Sequence, residues 1–196
     1  MKMKTIASIL LTLALAITIL AAQQSEPRTL PVFEGKATLL RPVNYREWVF
    51  VGSSRGLSYA QNPPAQSQAP SGGMGEMYHN VYITPTAYRE FIKTGKFPEG
   101  TMLAMELASA DTKREPGLQG SFEKEFIGLE VSVKDSKRFE GGWAYFNFSN
   151  GMGSSDKDKA EPFPASAGCV SCHKQNAETD NVFTQFYPVL RAAKPK

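Results

Sequence analysis

Five consecutive residues near the C-terminus, Cys169-Val170-Ser171-Cys172-His173, contain both cysteines of the chain and one of its two histidines. The C-x-x-C-H spacing is the attachment motif of c-type haem. In such a site both thiols add across the vinyl groups of the macrocycle, and the histidine places its imidazole under the iron as the proximal ligand. The sequence therefore predicts one covalently attached haem c, with His173 as the iron ligand.

The same residues allow three other interpretations. A zinc site needs four ligands, so Cys169, Cys172 and His173 together with His79 would use every cysteine and histidine of the chain. The paired-histidine spacing of such sites is absent. A thioredoxin-like redox pair requires the motif to follow a strand and open a helix, whereas two prolines and a glycine precede it here. A structural disulfide would leave the histidine of the motif unexplained.

The first 22 residues have the pattern of a secretory signal peptide. Lys2 and Lys4 form a basic start, residues 6–20 are mostly apolar, and a pair of alanines then offers a cleavage site. The apolar run is short for a spanning helix, and no later run is long enough to cross a bilayer. Residues 23–196 are therefore predicted to be a periplasmic domain without a membrane span. An uncleaved membrane anchor is the alternative.

Composition excludes several classes of protein. With 41% hydrophobic and 21% charged residues the chain is neither disordered nor collagen-like. The formal net charge is only +3, and two of the basic residues lie in the signal segment, so nucleic-acid binding is not expected. Two cysteines cannot form a disulfide scaffold.

Four segments are predicted to be β-strands, the first three from residues that share one face by alternation and the fourth from its aromatic-rich composition. They are residues 78–84, 101–108, 125–133 and 143–148. In the second segment Leu103, Met105 and Leu107 share one face. The third segment has the clearest alternation, and glycines before the fourth indicate a hairpin.

Three helices are predicted between and after these strands. Residues 42–50 have the spacing of a short amphipathic helix. A second helix begins at Pro85 and ends at Gly95, and a third runs over residues 180–193 with a bend at Pro188. The predicted fold class is α+β: one β-rich domain with an antiparallel sheet, a few helices and the C-terminal haem motif.

Glu130 is the candidate catalytic residue. It lies between Leu129 and Val131, on the strand face opposite the aliphatic row. It is either a solvated surface carboxylate or, where that face lines the cavity beside the haem, a general acid or base for a bound molecule.

The sixth position of the iron decides the type of function. A methionine there would make an electron carrier, whereas a vacant position would make a binding or catalytic site. None of the methionines has a context that identifies an axial ligand, and core packing is expected for Met105. His79 could bind iron, but it lies at the start of a predicted strand next to a glycine- and proline-rich segment, so an exposed position is expected for it.

Four stretches of the chain together resemble the cytochrome P-460 and cytochrome c′-beta superfamily. They are NYREWVFVG at 44–52, the FIKTG and FPEGT block at 91–101, IGLEVSVKDSKRF at 127–139, and the motif-bearing stretch at 169–194. The resemblance implies a β-rich fold, a homodimer, and a haem with a proximal histidine and an open distal side. It also implies that Glu130 is the family's distal glutamate, and that the activity is hydroxylamine oxidation or nitric oxide binding.

Met105 departs from this family pattern. Proteins of the P-460 type join a lysine to a haem meso carbon, and that lysine lies in the strand that corresponds to residues 101–108 here. Met105 stands at the position of that lysine. A thioether cannot form the carbon–nitrogen bond, so Met105 is expected to pack at the haem edge without a cross-link. This departure places hydroxylamine oxidation in doubt.

A peroxidase-like reaction of a five-coordinate haem is therefore the favoured hypothesis, with peroxide as the small-molecule partner. Hydroxylamine oxidation, nitric oxide binding without turnover, and electron transfer by a six-coordinate haem are the alternatives. The sequence does not identify a redox partner protein.

Overall fold

The computed structural model describes residues 29–56, 77–115, 117–150 and 157–195, so the predicted signal peptide at 1–22 lies outside the described residues. Within them the chain forms two antiparallel sheets and three α-helices. The α+β class is thereby confirmed, although the sequence predicted one sheet. No helix in the described part of the chain is long and apolar enough to cross a membrane.

The strands, in chain order, are β1 Phe33–Glu34, β2 Thr38–Leu40, β3 Val49–Arg55, β4 Met77–Ile83, β5 Met102–Glu115, β6 Leu118–Lys134, β7 Trp143–Asn147 and β8 Lys159–Ala160. The helices are α1 Pro85–Thr94, α2 Gly168–Asn176 and α3 Pro188–Ala193, with 3₁₀ turns at Tyr45–Glu47 and Thr184–Phe186. Strands β1, β2 and β8 form a small sheet. Strands β3 to β7 form a five-stranded sheet in which each strand pairs with the next along the chain.

Side-chain alternation gives the five-stranded sheet two different faces. Leu103 of β5 points to the first face, where it packs with Phe91 of α1 and Leu190 of α3. Ala104 points to the second face, which packs with Trp48 and the small sheet. Up to the register irregularity after Leu107, odd-numbered residues of β5 therefore share the first face, as the sequence predicted for this strand.

The two central strands are longer than predicted, with 14 residues in β5 and 17 in β6. Within the described residues their far ends pair with each other alone, because the described pairing of β4 with β5 stops at Met77 and Ser109. Polar residues dominate this outer hairpin, so hydrophobic alternation alone could not reveal it. Within the sheet proper, Met105 and Glu130 are direct cross-strand partners.

The predicted helix over residues 42–50 is wrong. Only a 3₁₀ turn forms at Tyr45–Glu47, and β3 begins at Val49. A run of β-branched and aromatic residues there pairs with β4 instead of continuing the helix. Gly52 lies inside this strand, and a Cβ atom on it would come within 2.9 Å of Pro188 Cδ. The glycine therefore lets α3 pack closely on β3.

The second face of the sheet contains a buried carboxylate that sequence reasoning did not detect. Glu106 is 2% exposed. Arg46 Nη2 lies 2.5 Å from its Oε2 atom, and the Tyr45 hydroxyl donates to the same oxygen. A buried charge is tolerated only with such partners, because desolvation penalises it. This network anchors the chain entering β3, on the side of the sheet away from the cavity described below.

The other two helix predictions differ in outcome. Helix α1 is confirmed, and Gly95 ends it in a left-handed conformation with φ 69°. The long C-terminal helix over 180–193 is wrong. Asp180 and Asn181 are both left-handed, with φ 46° and 60°, which is incompatible with a helix. Pro188 begins the short helix α3 rather than bending a longer one, because proline suits the first helical turn.

Candidate functional site

An apolar cavity lies between the first face of the five-stranded sheet and the segment that follows β8. Its volume is about 280 Å³. Its apolar wall is formed by Val81, Leu103, Phe163, Val182, Phe183 and Phe186. Such a lining suits a flat hydrophobic group with few polar contacts.

The three motif residues lie on one face of α2 and line this cavity. Cys169, Cys172 and His173 are at helix positions i, i+3 and i+4, which adjoin on a helix surface. Both thiols are free and half-buried. Burial raises the pKa of the Cys169 thiol. The motif thus presents two thiols and an imidazole to the same space.

The structure bears on the zinc, thioredoxin-like and disulfide interpretations of the motif in different ways. In the described residues no group of three or more histidine, cysteine, aspartate or glutamate side chains is placed to hold a metal ion. The motif does open a helix, contrary to the argument against a thioredoxin-like pair. That alternative, like a simple disulfide, still gives no reason for an imidazole in the cavity.

His173 is oriented by a backbone carbonyl. Its Nδ1 atom lies 2.8 Å from the carbonyl oxygen of Asn181. A carbonyl can only accept, so Nδ1 carries the proton and the lone pair of Nε2 is left for a metal. The ring packs against both Tyr145 and Phe183, with each ring centroid 4.5 Å from that of the imidazole. Desolvation lowers the pKa of His173, which favours the neutral imidazole that binds iron.

Glu130 and Met105 both line the cavity from adjacent strands. Glu130 is half-buried, and desolvation raises the pKa of its carboxyl group above the ordinary value of 4.5. The side-chain amide nitrogen Nδ2 of Asn147 lies 3.5 Å from the Oε1 atom of Glu130. This separation makes at best a weak hydrogen bond. The structure thus places the Glu130 carboxyl group on the cavity wall with one weak side-chain contact.

Met105 faces the same space as the motif. The other methionines of the described part of the chain lie elsewhere, since Met102 is buried in the core of the second face and Met77 opens β4. Met105 is therefore a cavity neighbour as well as a contributor to the first-face core. Its lack of a cross-link to haem stays a prediction.

The expectation of an exposed His79 is wrong. It lies within β4, is half-buried, and lines the cavity together with its cross-strand partner Ser54. It is also diagonal to Met105, because His79 pairs with Leu107 and Val81 pairs with Met105. Desolvation lowers the pKa of His79, so the neutral form is favoured. The sequence signal that could have located His79 was its position two residues before Val81, which places both side chains on the same face of the strand.

Tyr145 is a second cavity residue that sequence reasoning missed. Its ring packs on His173, and its hydroxyl lies 3.5 Å from the Asn181 carbonyl oxygen. Burial raises the pKa of Tyr145, so the phenol stays protonated. The aromatic-rich composition of β7 indicated a strand, but it did not indicate which aromatic side chain would meet the motif.

The donor set fits a haem group. Two free thiols and an imidazole with an available Nε2 atom share one side of an apolar cavity, which is the arrangement that c-type attachment requires. Fold and site together define a haem-binding protein of the cytochrome class. Residues 42–184 match the family described as Cytochrome P460, and the chain belongs to this family. A comparison with curated proteins found no match.

Proposed function

We propose that the chain is an exported mono-haem c-type cytochrome with peroxidase-like activity. In this proposal Cys169 and Cys172 hold the haem, His173 binds the iron, and Glu130 transfers protons. The single observation that carries the catalytic part is the desolvated Glu130 carboxyl group on the cavity wall, directly across the strand pair from Met105. The homodimer stays a prediction from the family, to be measured by light scattering of the mature protein.

When bound, the haem supplies an iron atom that can bind peroxide and exchange electrons with it. Glu130 takes a proton from one peroxide oxygen and returns it to the other, which leaves as water when the O–O bond breaks. Overall, one peroxide, two electrons and two protons would give two water molecules. The electrons come from an external reductant, either a small molecule or a redox protein.

The environment of Glu130 suits this role. Its pKa is raised because burial disfavours the charged form, so the ionised carboxylate is a stronger base than one in water. Apolar neighbours also limit the number of competing proton donors. General bases are most effective when their pKa approaches the working pH.

Electron transfer by a six-coordinate haem is the second candidate, and the position of His79 favours it. A neutral imidazole on the cavity wall is a competent iron ligand. The ferric optical spectrum separates the two functions. We expect high-spin bands and peroxide-dependent oxidation of an added reductant.

A low-spin spectrum that becomes high-spin in His79→Ala would instead identify His79 as the sixth ligand and overturn the peroxidase proposal. Ser132→Ala is the matched control, because Ser132 lines the same cavity without offering an iron ligand. A high-spin protein without peroxide turnover would leave gas binding as the function.

Met105 should be the cavity side chain that peroxide modifies. Before treatment we expect an ordinary c-type spectrum without a side-chain cross-link. Peroxide should then add one oxygen atom to Met105, because an accessible thioether forms a sulfoxide. Met105→Leu keeps a similar volume and should lack this modification, which peptide mass mapping measures.

Met102→Leu is the control for the Met105 experiment, because its side chain is buried on the other face of the sheet. A cross-linked, red-shifted chromophore in the untreated protein would contradict the expectation. It would show that the family's lysine position does not correspond to Met105, and hydroxylamine oxidation would become the leading activity.

A further inference from the structure

The carbonyl that holds His173 belongs to a turn with an unusual backbone. Asp180 and Asn181 are consecutive non-glycine residues with φ 46° and 60°. This left-handed region is sparsely populated by such residues, although aspartate and asparagine tolerate it best. The Thr179 and Val182 amides exchange hydrogen bonds with each other's carbonyls and close the turn. The turn therefore presents the Asn181 carbonyl to His173 Nδ1 in a specific direction.

The Asp180 side chain fastens this turn to the sheet. Lys134 Nζ lies 2.7 Å from Oδ2, and the Trp143 indole N–H donates to Oδ1 at 3.1 Å. Lys134 ends β6, Trp143 begins β7, and the two are direct cross-strand partners. Each oxygen of one carboxylate is thus bound by a different strand of the same sheet.

Both donors are themselves fixed. Lys134 Nζ also donates to the Phe97 carbonyl at 2.7 Å, and its side chain is only 18% exposed. Trp143 is 5% exposed and packs edge-on against Phe97. Tyr145, whose ring packs on His173 at a tilt of 43°, lies two residues after Trp143 in the same strand. We call Lys134 and Trp143, which bind the Asp180 carboxylate, the clamp. Strands β6 and β7 therefore hold both the clamp and the Tyr145 ring that contacts the imidazole.

We propose that Asp180 is a positioning residue for the proximal histidine. Held by Lys134 and Trp143, it keeps the Asn181 carbonyl on His173 Nδ1 and so sets the orientation and basicity of the imidazole toward iron. A stronger hydrogen bond at Nδ1 makes the ligand a better electron donor. It then stabilises ferric over ferrous iron and lowers the reduction potential. The inference rests on the proposed haem ligation by His173, but not on peroxide turnover.

Asp180→Asn tests the proposal in the haem-loaded protein. Asparagine tolerates the same left-handed backbone and keeps an acceptor for Trp143, but it loses the ion pair with Lys134. We expect a higher reduction potential and a lower frequency of the ferrous iron–histidine stretch in resonance Raman spectra. Loss of a negative charge alone would also raise the potential, so a second variant is needed.

Lys134→Met separates positioning from simple charge. Removing a positive charge lowers a reduction potential by Coulomb's law, whereas releasing the turn raises it. We therefore expect the potential to rise and the stretching frequency to fall in both variants. A fall in potential with Lys134→Met, or an unchanged stretching frequency in both variants, would overturn the proposal.

Glu34→Gln is the matched control, because it breaks the 2.6 Å Lys159–Glu34 ion pair of the small sheet, away from the cavity. It should change neither observable. If the ferrous protein is six-coordinate and gives no such band, the sign of the potential shift in Lys134→Met still decides. Positioning predicts a rise there, whereas simple charge predicts a fall. A protein without histidine-ligated haem would overturn the proposed function and this inference together. If both variants shift the potential and the stretching frequency as expected but the protein does not turn over peroxide, the proposed function is overturned and this inference stands.

Discussion

Haem should stay attached to the polypeptide in acidified organic solvent, and the double substitution of Cys169 and Cys172 by alanine should abolish that attachment. Thioether bonds survive such treatment, whereas coordination by His173 does not survive protonation of the imidazole. The i, i+3 positions of the thiols on α2 place both at the same cavity edge. Intact-mass spectrometry of the denatured mature protein measures the result.

Two single substitutions sharpen this experiment. Cys169→Ala should leave one thioether and therefore retain haem through Cys172. His173→Ala should keep the covalent haem but change its optical spectrum, because the iron loses its proximal ligand. Complete loss of haem from the unmodified protein in the same solvent would contradict covalent attachment. The roles of the two thiols and of the imidazole would then need to be reassigned.

The local parts of the site were predictable from the sequence. The spacing of the five-residue motif was enough to assign the thiols and the imidazole, although the sequence analysis did not predict the helix Gly168–Asn176 that presents them. The alternation in β5 and β6 likewise assigned Met105 and Glu130 to faces of their strands. Family resemblance added that these two residues belong to one site, and their direct pairing in the sheet agrees with that expectation.

The parts that depend on register and on distant segments could not be predicted. His79 reaches the cavity because of how β4 pairs with β5, and a one-residue shift would turn it to the other face. The Asn181 carbonyl meets His173 through a left-handed turn that hydrophobic periodicity does not encode. The clamp on Asp180 joins residues 37 or more positions apart in the chain.

The failed helix prediction over 42–50 has the same origin. Tyr45, Trp48 and Val49 have helical spacing, yet they separate into a 3₁₀ turn and the start of β3. Tyr45 is engaged by Glu106 of β5, and Val49 pairs with Ile83 of β4. Tertiary contacts with two strands thus outweigh a local pattern over nine residues, as they commonly do for short amphipathic segments.

Glu130→Gln should slow peroxide-dependent turnover about 10²-fold or more, because glutamine keeps the shape of the side chain but cannot accept a proton. The binding of haem should be unaffected. Glu125→Gln is the matched control, since Glu125 lies on the same strand but is exposed. Steady-state rates with a fixed reductant measure the effect, and the loss should appear without a change in the optical spectrum of the resting protein.

The pH dependence gives this prediction a second readout. Desolvation raises the pKa of Glu130 above 4.5, so the folded protein holds the proton to higher pH than the unfolded chain does. As a general base Glu130 must be ionised, and turnover should rise with pH through that raised pKa; Glu130→Gln should remove this rise. The same shift means that the free energy of unfolding decreases as pH increases through this window. The glutamine variant should lack that decrease.

An unchanged rate and pH profile in Glu130→Gln would show that the carboxyl group only lines the cavity. His79 would then be the remaining candidate for proton transfer, because it shares the wall and is favoured in its neutral, proton-accepting form. His79→Gln should in that case carry the rate loss, and it should do so without shifting the resting spectrum. A loss in both single variants that does not add in the double variant would indicate that the two side chains act on the same proton.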